Sequence, residues 1–223
     1  MKYILRITIY FAGLFLLAIG INLAIKSNLG VSPVSAFPLA ISNIIGVSLG
    51  TVTIGVYAFY VLAQALILRK KFKLKSLLQI LFSFPFGFFV DFASGLLKGI
   101  EASNYFIQVL LMSTSIGIVS IGVVMFITMD IVPNAPDGLV LAISDKTKTD
   151  FGKVKILFDC TSVILAIILS LVFIGNISTI REGTIISALL TGKVIGIISK
   201  PCAPRLKKLV FNDSDELIDE IVA

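Results

Sequence analysis

The chain has 223 residues, 57% hydrophobic and 14% charged, with a net charge of +6 and no histidine. A soluble domain carries about 25% charged residues, so a water-soluble globular fold is excluded. The missing histidine also removes histidine metal clusters, imidazole general bases and histidine proton relays.

Six apolar runs are long enough to cross about 30 Å of hydrocarbon, which takes about 20 residues. They lie at 3–25, 51–68, 74–97, 105–131, 154–174 and 183–200. The first follows Lys2 and Arg6, the layout of a signal peptide. No small-x-small cleavage site precedes Lys26 and five more runs follow, so it reads as an uncleaved helix. Next comes Ser-Asn-Leu-Gly-Val-Ser-Pro at 27–33. Gly30 and Pro33 break a helix there, and Ser32 is placed to cap a new one. About 13 apolar residues follow, which suits a re-entrant or half-depth helix at 31–45.

The second and third runs form a helical pair joined by a basic loop, Arg69, Lys70, Lys71, Lys73 and Lys75. In the third, Ser83, Gly87 and Asp91 recur every four residues and share a face; Ala188, Gly192 and Gly196 repeat the device in the sixth. Small residues at that spacing let helices approach closely. After the fourth run comes Asn-Ala-Pro-Asp-Gly-Leu-Val-Leu-Ala-Ile-Ser at 134–144, too short to span. It echoes 31–42: both run from a proline into Leu-Ala-Ile-Ser, and Gly50 and Gly152 follow at the same distance.

The chain therefore reads as all-α and polytopic: six transmembrane helices in two repeats, 1–100 and 101–200, with short segments at 31–45 and 134–145. A charged cytosolic tail, 201–223, follows. Three full spans per repeat turn the second copy upside-down, a construction of secondary transporters. If the spans alternate, fifteen Lys and Arg residues fall on one side, and Lys26, Lys98 and Arg181 on the other. Positive charge stays cytoplasmic, so both termini are expected there. The basic residues sit in short loops beside apolar spans, which argues against a nucleic-acid footprint.

Asp137, between Pro136 and Gly138, opens the second short helix. It caps that helix or binds a cation or proton at a cavity. The first short helix offers Ser32, Pro33 and Ser35 and no acid, so its N-terminus favours an anionic or polar group. Asp159 and Lys193 lie at similar depths, as a structural ion pair or as coupling charges. Asp91 has no evident basic neighbour, and a wet cavity is its simplest environment. Gln64, Gln79 and Asn22 read as interhelical glue. Cys160 and Cys202 lack metal-ligand spacing and read as buried filler and a free thiol. No metal site, cofactor site or enzyme motif is expected: Thr191-Gly192-Lys193-Val194 lacks the upstream glycine of a phosphate loop, and no Gly-x-Ser-x-Gly elbow is present.

Residues 134–159 resemble the YczE/YitT group of bacterial membrane proteins. Pro136-Asp137-Gly138-Leu139, Leu141-Ala142-Ile143-Ser144, Phe151-Gly152-Lys153-Val154 and Asp159 carry the resemblance. The segment 183–190 with Gly192 looks like the group's last span, and Leu29-Gly30-Val31-Ser32-Pro33 like its first-half motif. An acid often follows the proline in that motif, where Val34 and Ser35 stand here. The resemblance implies a multi-pass protein of the bacterial plasma membrane and supplies no substrate. The functions expected are a small secondary transporter of a small molecule or ion, with a homodimer plausible at this size; the substrate-binding membrane subunit of a multi-component importer; or a membrane accessory protein.

Overall fold

The structure is a computed structural model that describes residues 2–177 and 180–211. It is all-helical among those residues. In chain order come α1 (Lys2–Ser27), α2 (Pro33–Ile45), α3 (Leu49–Leu68), α4 (Leu78–Leu96), α5 (Tyr105–Thr128), α6 (Ala135–Thr147), α7 (Phe151–Phe173) and α8 (Glu182–Val210). Two short 3-10 turns link α3 to α4. Six helices are long and apolar enough to cross a membrane, and α2 and α6 are the two short ones between them.

The largest helix contact is α1 on α5. Glycine permits it: a Cβ on Gly122 would sit 2.6 Å from the Gly13 carbonyl oxygen and 2.8 Å from the Leu17 nitrogen. Further along, Ser115 Oγ donates to the Gly20 carbonyl at 2.7 Å. Gly13 thus meets Gly122 and Gly20 meets Ser115, so the helices run antiparallel. At one end Arg6 donates to the carbonyls of Met129 and Asp130, at 2.6 and 2.7 Å.

The α3–α4 pair uses the small-residue face expected in the third span. A Cβ on Gly50 would collide with the Gly87 carbonyl and reach Asp91 Cγ at 2.6 Å. Asp91 finds hydrogen-bond partners in place of a basic neighbour. Its Oδ1 accepts from the Gly50 N–H at 2.7 Å and its Oδ2 from Ser48 Oγ at 2.6 Å. A carboxylate on α4 thus caps the N-terminus of α3, where free N–H groups and the helix dipole favour negative charge. Asp91→Ala should cost about 1–2 kcal/mol in thermal unfolding in detergent, and Asp91→Asn less. Asn22 Nδ2 and the Gln64–Gln79 pair bind helices as expected, Asn22 through the Val90 carbonyl at 2.9 Å.

The short helices cross over: α2 packs mainly on α7 and α6 on α3. Local geometry recurs at a spacing of 102 residues. Ser42 Oγ donates to the Val47 carbonyl and Ser144 Oγ to the Thr149 carbonyl, each at 2.6 Å. Gly46 and Lys148 end α2 and α6 in left-handed conformations, and Asn28 and Asp130 follow α1 and α5 with φ of 58° and 46°.

The last helix differs from expectation. It does not stop at Lys200 but continues through Pro201 and Pro204 to Val210. The prolines remove amide donors to the carbonyls of Ile197 and Lys200. Both residues are exposed, so solvent or headgroups can take those carbonyls. The first ten residues of the tail are therefore helical; 212–223 lie outside the described residues. Cys160 is exposed, not buried.

Candidate functional site

The second short helix begins with Asn134, not Asp137, as its N-cap. Asn134 Oδ1 accepts from the Ala135 N–H at 3.1 Å, and its Nδ2 donates to Tyr57 Oη at 3.5 Å. Pro136 falls in the first turn, where an amide donor has no intrahelical partner to lose. Asp137 is the third helical residue, inside the positive end of the dipole. Gly138 is buried, and a Cβ there would sit 2.9 Å from Gln64 Oε1 and both polar atoms of the Gln79 amide. Those glutamines exchange hydrogen bonds at 2.9 and 3.3 Å, and Gln64 also donates to the Ala135 carbonyl at 3.2 Å. The first turn of α6 is thereby fixed to α3 and α4. Gln64→Leu should cost about 1–3 kcal/mol in thermal unfolding, because it strands the buried Gln79 amide.

From that turn Asp137 reaches α7. Lys155 Nζ lies 3.2 Å from Asp137 Oδ1 and 3.3 Å from Asp159 Oδ1. One ammonium is shared by two carboxylates, leaving a charge of −1. All three side chains are about two-thirds to three-quarters buried. Asp159 Oδ1 is itself buried without a hydrogen bond, so the lysine charge is its compensation. The ammonium also stands 5.6 Å from the centre of the Phe158 ring, within cation–π range. Tyr60 meets Phe158 edge-on at 5.4 Å and stacks on Tyr57 at 6.2 Å.

The first short helix presents a neutral counterpart. Ser32 is its N-cap and donates through Oγ to Ser35 Oγ at 3.0 Å, with Pro33 in the first turn. At the spacing of 102, Ser35 stands for Asp137, Thr53 for Lys155 and Tyr57 for Asp159. A small cavity is lined by Val34, Ser35, Thr53, Tyr57 and Phe86. A second is lined by Tyr10, Gln79, Ser83, Asn134, Tyr57 and Phe86. Each has room for about one water. Both share Tyr57 and Phe86, whose rings stack at 5.8 Å and 11°. The first turns of the two short helices therefore open onto one aromatic pair.

Asp159 pairs with Lys155, not with Lys193. Lys193 is exposed on α8, while Thr184 and Ser187 of that helix are buried. Asp91 belongs to the α3 cap, away from this cluster. Lys155 reads in the sequence as one more cytoplasmic loop charge, beside Lys146, Lys148 and Lys153. Its i,i+4 spacing to Asp159 was the available signal. Tyr57, inside an apolar run, gave none.

The chain is 29% identical over 195 residues to the uncharacterized membrane protein YczE of Bacillus subtilis strain 168, covering 87% of this chain and 85% of that one. It is 26% identical over 190 residues to the uncharacterized protein YyaS of the same organism, covering 84% and 89%. No solved structure matches significantly. With six helices long and apolar enough to span and this likeness, the protein is a membrane protein. The family of unknown function DUF6198 matches residues 4–200, and the chain belongs to that family.

Proposed function

We propose that the protein is a small secondary transporter of a small molecule or ion in the bacterial plasma membrane. The observation that carries this reading is the Asp137–Lys155–Asp159 cluster, held at the first turn of a helix too short to span. Charge inside a membrane segment is expensive and marks ligand or ion pathways. Interrupted helices aimed at the middle of a two-repeat bundle are the usual construction of such sites. The antiparallel α1 and α5, the exchange of α2 and α6 between halves and the spacing of 102 support an inverted repeat.

In this reading Asp137, Pro136 and Gly138 line one half of the passage, and Ser32, Pro33 and Ser35 the other. Tyr57 and Phe86 close it between them. Asp159 and Lys155 are the coupling charges; Asp91 and Lys193 have no part in it. The basic loops favour cytoplasmic termini, because positive charge stays on that side. In this reading the protein needs no cofactor and carries out no enzymatic step, and its small size suits a homodimer.

The test is a ligand-dependent thermal-shift screen in detergent, on the wild type and on Asp137→Asn. A ligand at about 100 times its dissociation constant adds about 2.7 kcal/mol, a visible shift. The expected result is a shift in the wild type that disappears in folded Asp137→Asn, followed by flux of that compound into proteoliposomes. A blank across metabolites and ions with both proteins folded would count against transport. The second reading, a membrane subunit or accessory protein, is favoured by one observation: α7 and α8 are the least buried of the six long helices. Copurification of an ATP-hydrolysing partner would support it.

A further inference from the structure

α8 carries a lysine where a lipid-facing helix has no use for one. Lys193 lies in the apolar stretch between Glu182 and Lys200, about 16 Å from the first and about 10 Å from the second at 1.5 Å per residue. It is exposed, as are Leu189 and Ile197 a turn on either side, while Thr184 and Ser187 on another face are buried. Side chains on a helix lean toward its N-terminus. Lys193 therefore leans away from the Lys200 end and is poorly placed to snorkel there. Among the described residues no carboxylate pairs with it; Glu182, the only acid on α8, pairs with Arg181 at 3.0 Å.

Beside it runs a second feature. Gly192 and Gly196 are exposed, and a Cβ added to either would meet nothing within 4 Å. Elsewhere in this protein such glycines are used: Gly13 on Gly122 and Gly50 on Gly87 bring backbones together. On α8 the small-residue surface is built but uncovered, with an unpaired cation next to it. α7 does not cover it, because α7 and α8 do not pack closely as α3 and α4 do.

We propose that this face of α8 docks a transmembrane helix of another protein that carries a carboxylate at the depth of Lys193. Charge complementarity selects that occupant: an ammonium in hydrocarbon is satisfied by a partner acid, and the glycines admit a close crossing. A second copy does not fit. A two-fold interface through this face would bring the two Lys193 ammonium groups together, and the acids within the spans, Asp91 and Asp159, are engaged inside their own chain. The inference stands whether or not the protein transports.

The experiment reconstitutes the full chain in phosphatidylcholine bilayers with a fluorescent polyleucine transmembrane peptide bearing one central glutamate, and reads association by energy transfer. We expect association at least tenfold tighter than with the glutamine or all-leucine peptide. Lys193→Leu should abolish the difference and Lys193→Arg keep it. Gly196→Leu should weaken association with Lys193 intact, separating helix docking from bare charge pairing. Equal binding of the three peptides, or retention in Lys193→Leu, would overturn the proposal. So would a result in which phosphatidylglycerol displaces the peptide and binds only when Lys193 is present; the face would then be a lipid site.

Discussion

Gly122→Ala should destabilise the protein by about 1–3 kcal/mol, the range for forcing extra volume into a closed contact. The added Cβ would meet the Gly13 carbonyl oxygen at 2.6 Å and the Leu17 nitrogen at 2.8 Å. Both are backbone atoms of α1, so no side chain can rotate out of the way. The two helices must part, and the Ser115–Gly20 hydrogen bond further along the contact would lengthen with them. Gly117 is the control on the same helix, since nothing lies within 4 Å of a Cβ there. Gly117→Ala should leave stability unchanged or raise it slightly, because alanine favours helix over glycine by up to about 1 kcal/mol. Thermal unfolding followed by circular dichroism in detergent compares the two. Equal melting temperatures for the two variants would show that the α1–α5 crossing is looser than its glycines require.

Lys155→Met is the second large effect. Removing one partner of a buried ion pair costs about 3–5 kcal/mol, because it strands charge. Here two carboxylates lose a shared cation. About a quarter of the lysine and Asp159 side chains and about a third of Asp137 remain exposed. Water therefore screens part of the loss, and about 1–3 kcal/mol is expected. The double variant Lys155→Met with Asp159→Asn should be more stable than Lys155→Met alone, since the carboxylate whose Oδ1 is buried is then neutral. A double-mutant cycle in thermal unfolding measures that coupling. Strict additivity would mean that the ammonium and Asp159 do not interact.

How much of this could be read beforehand depends on the range of the interaction. The six long helices and two short ones follow from apolar run lengths and from breakers such as Gly30 and Pro33, all local signals. The small-residue face of α4 was visible as a four-residue period, and Gly87 uses it against Gly50. The sixth apolar run ends at Lys200 but α8 does not, because a helix can continue through Pro201 and Pro204 where the carbonyls they free belong to exposed residues. Asp137 was visible as an acid beside a helix break. Its partner was not, because the Asp137–Lys155 contact depends on how α6 folds back along α7. The partners of Asp91 were hidden for the same reason: they are a backbone N–H of α3 and the hydroxyl of its N-cap, and they carry no charge pattern to search for. Lys193 was paired with Asp159 on depth alone, and depth says nothing about which side of a helix a residue occupies.

The crossing-over of the short helices has a consequence for synthesis. α2 ends at Ile45, and the helix that covers it, α7, begins at Phe151. At about 5–20 residues per second, the ribosome needs on the order of 10 s to make what lies between. Throughout that interval α2, with its free N–H groups and the serines of its first turn, has no native neighbour on that side. A nascent chain in this state needs a caretaker, such as the insertion machinery, until the second half arrives. Neither half is then an independent folding unit, and expressing residues 1–100 alone should yield a protein that is inserted and degraded.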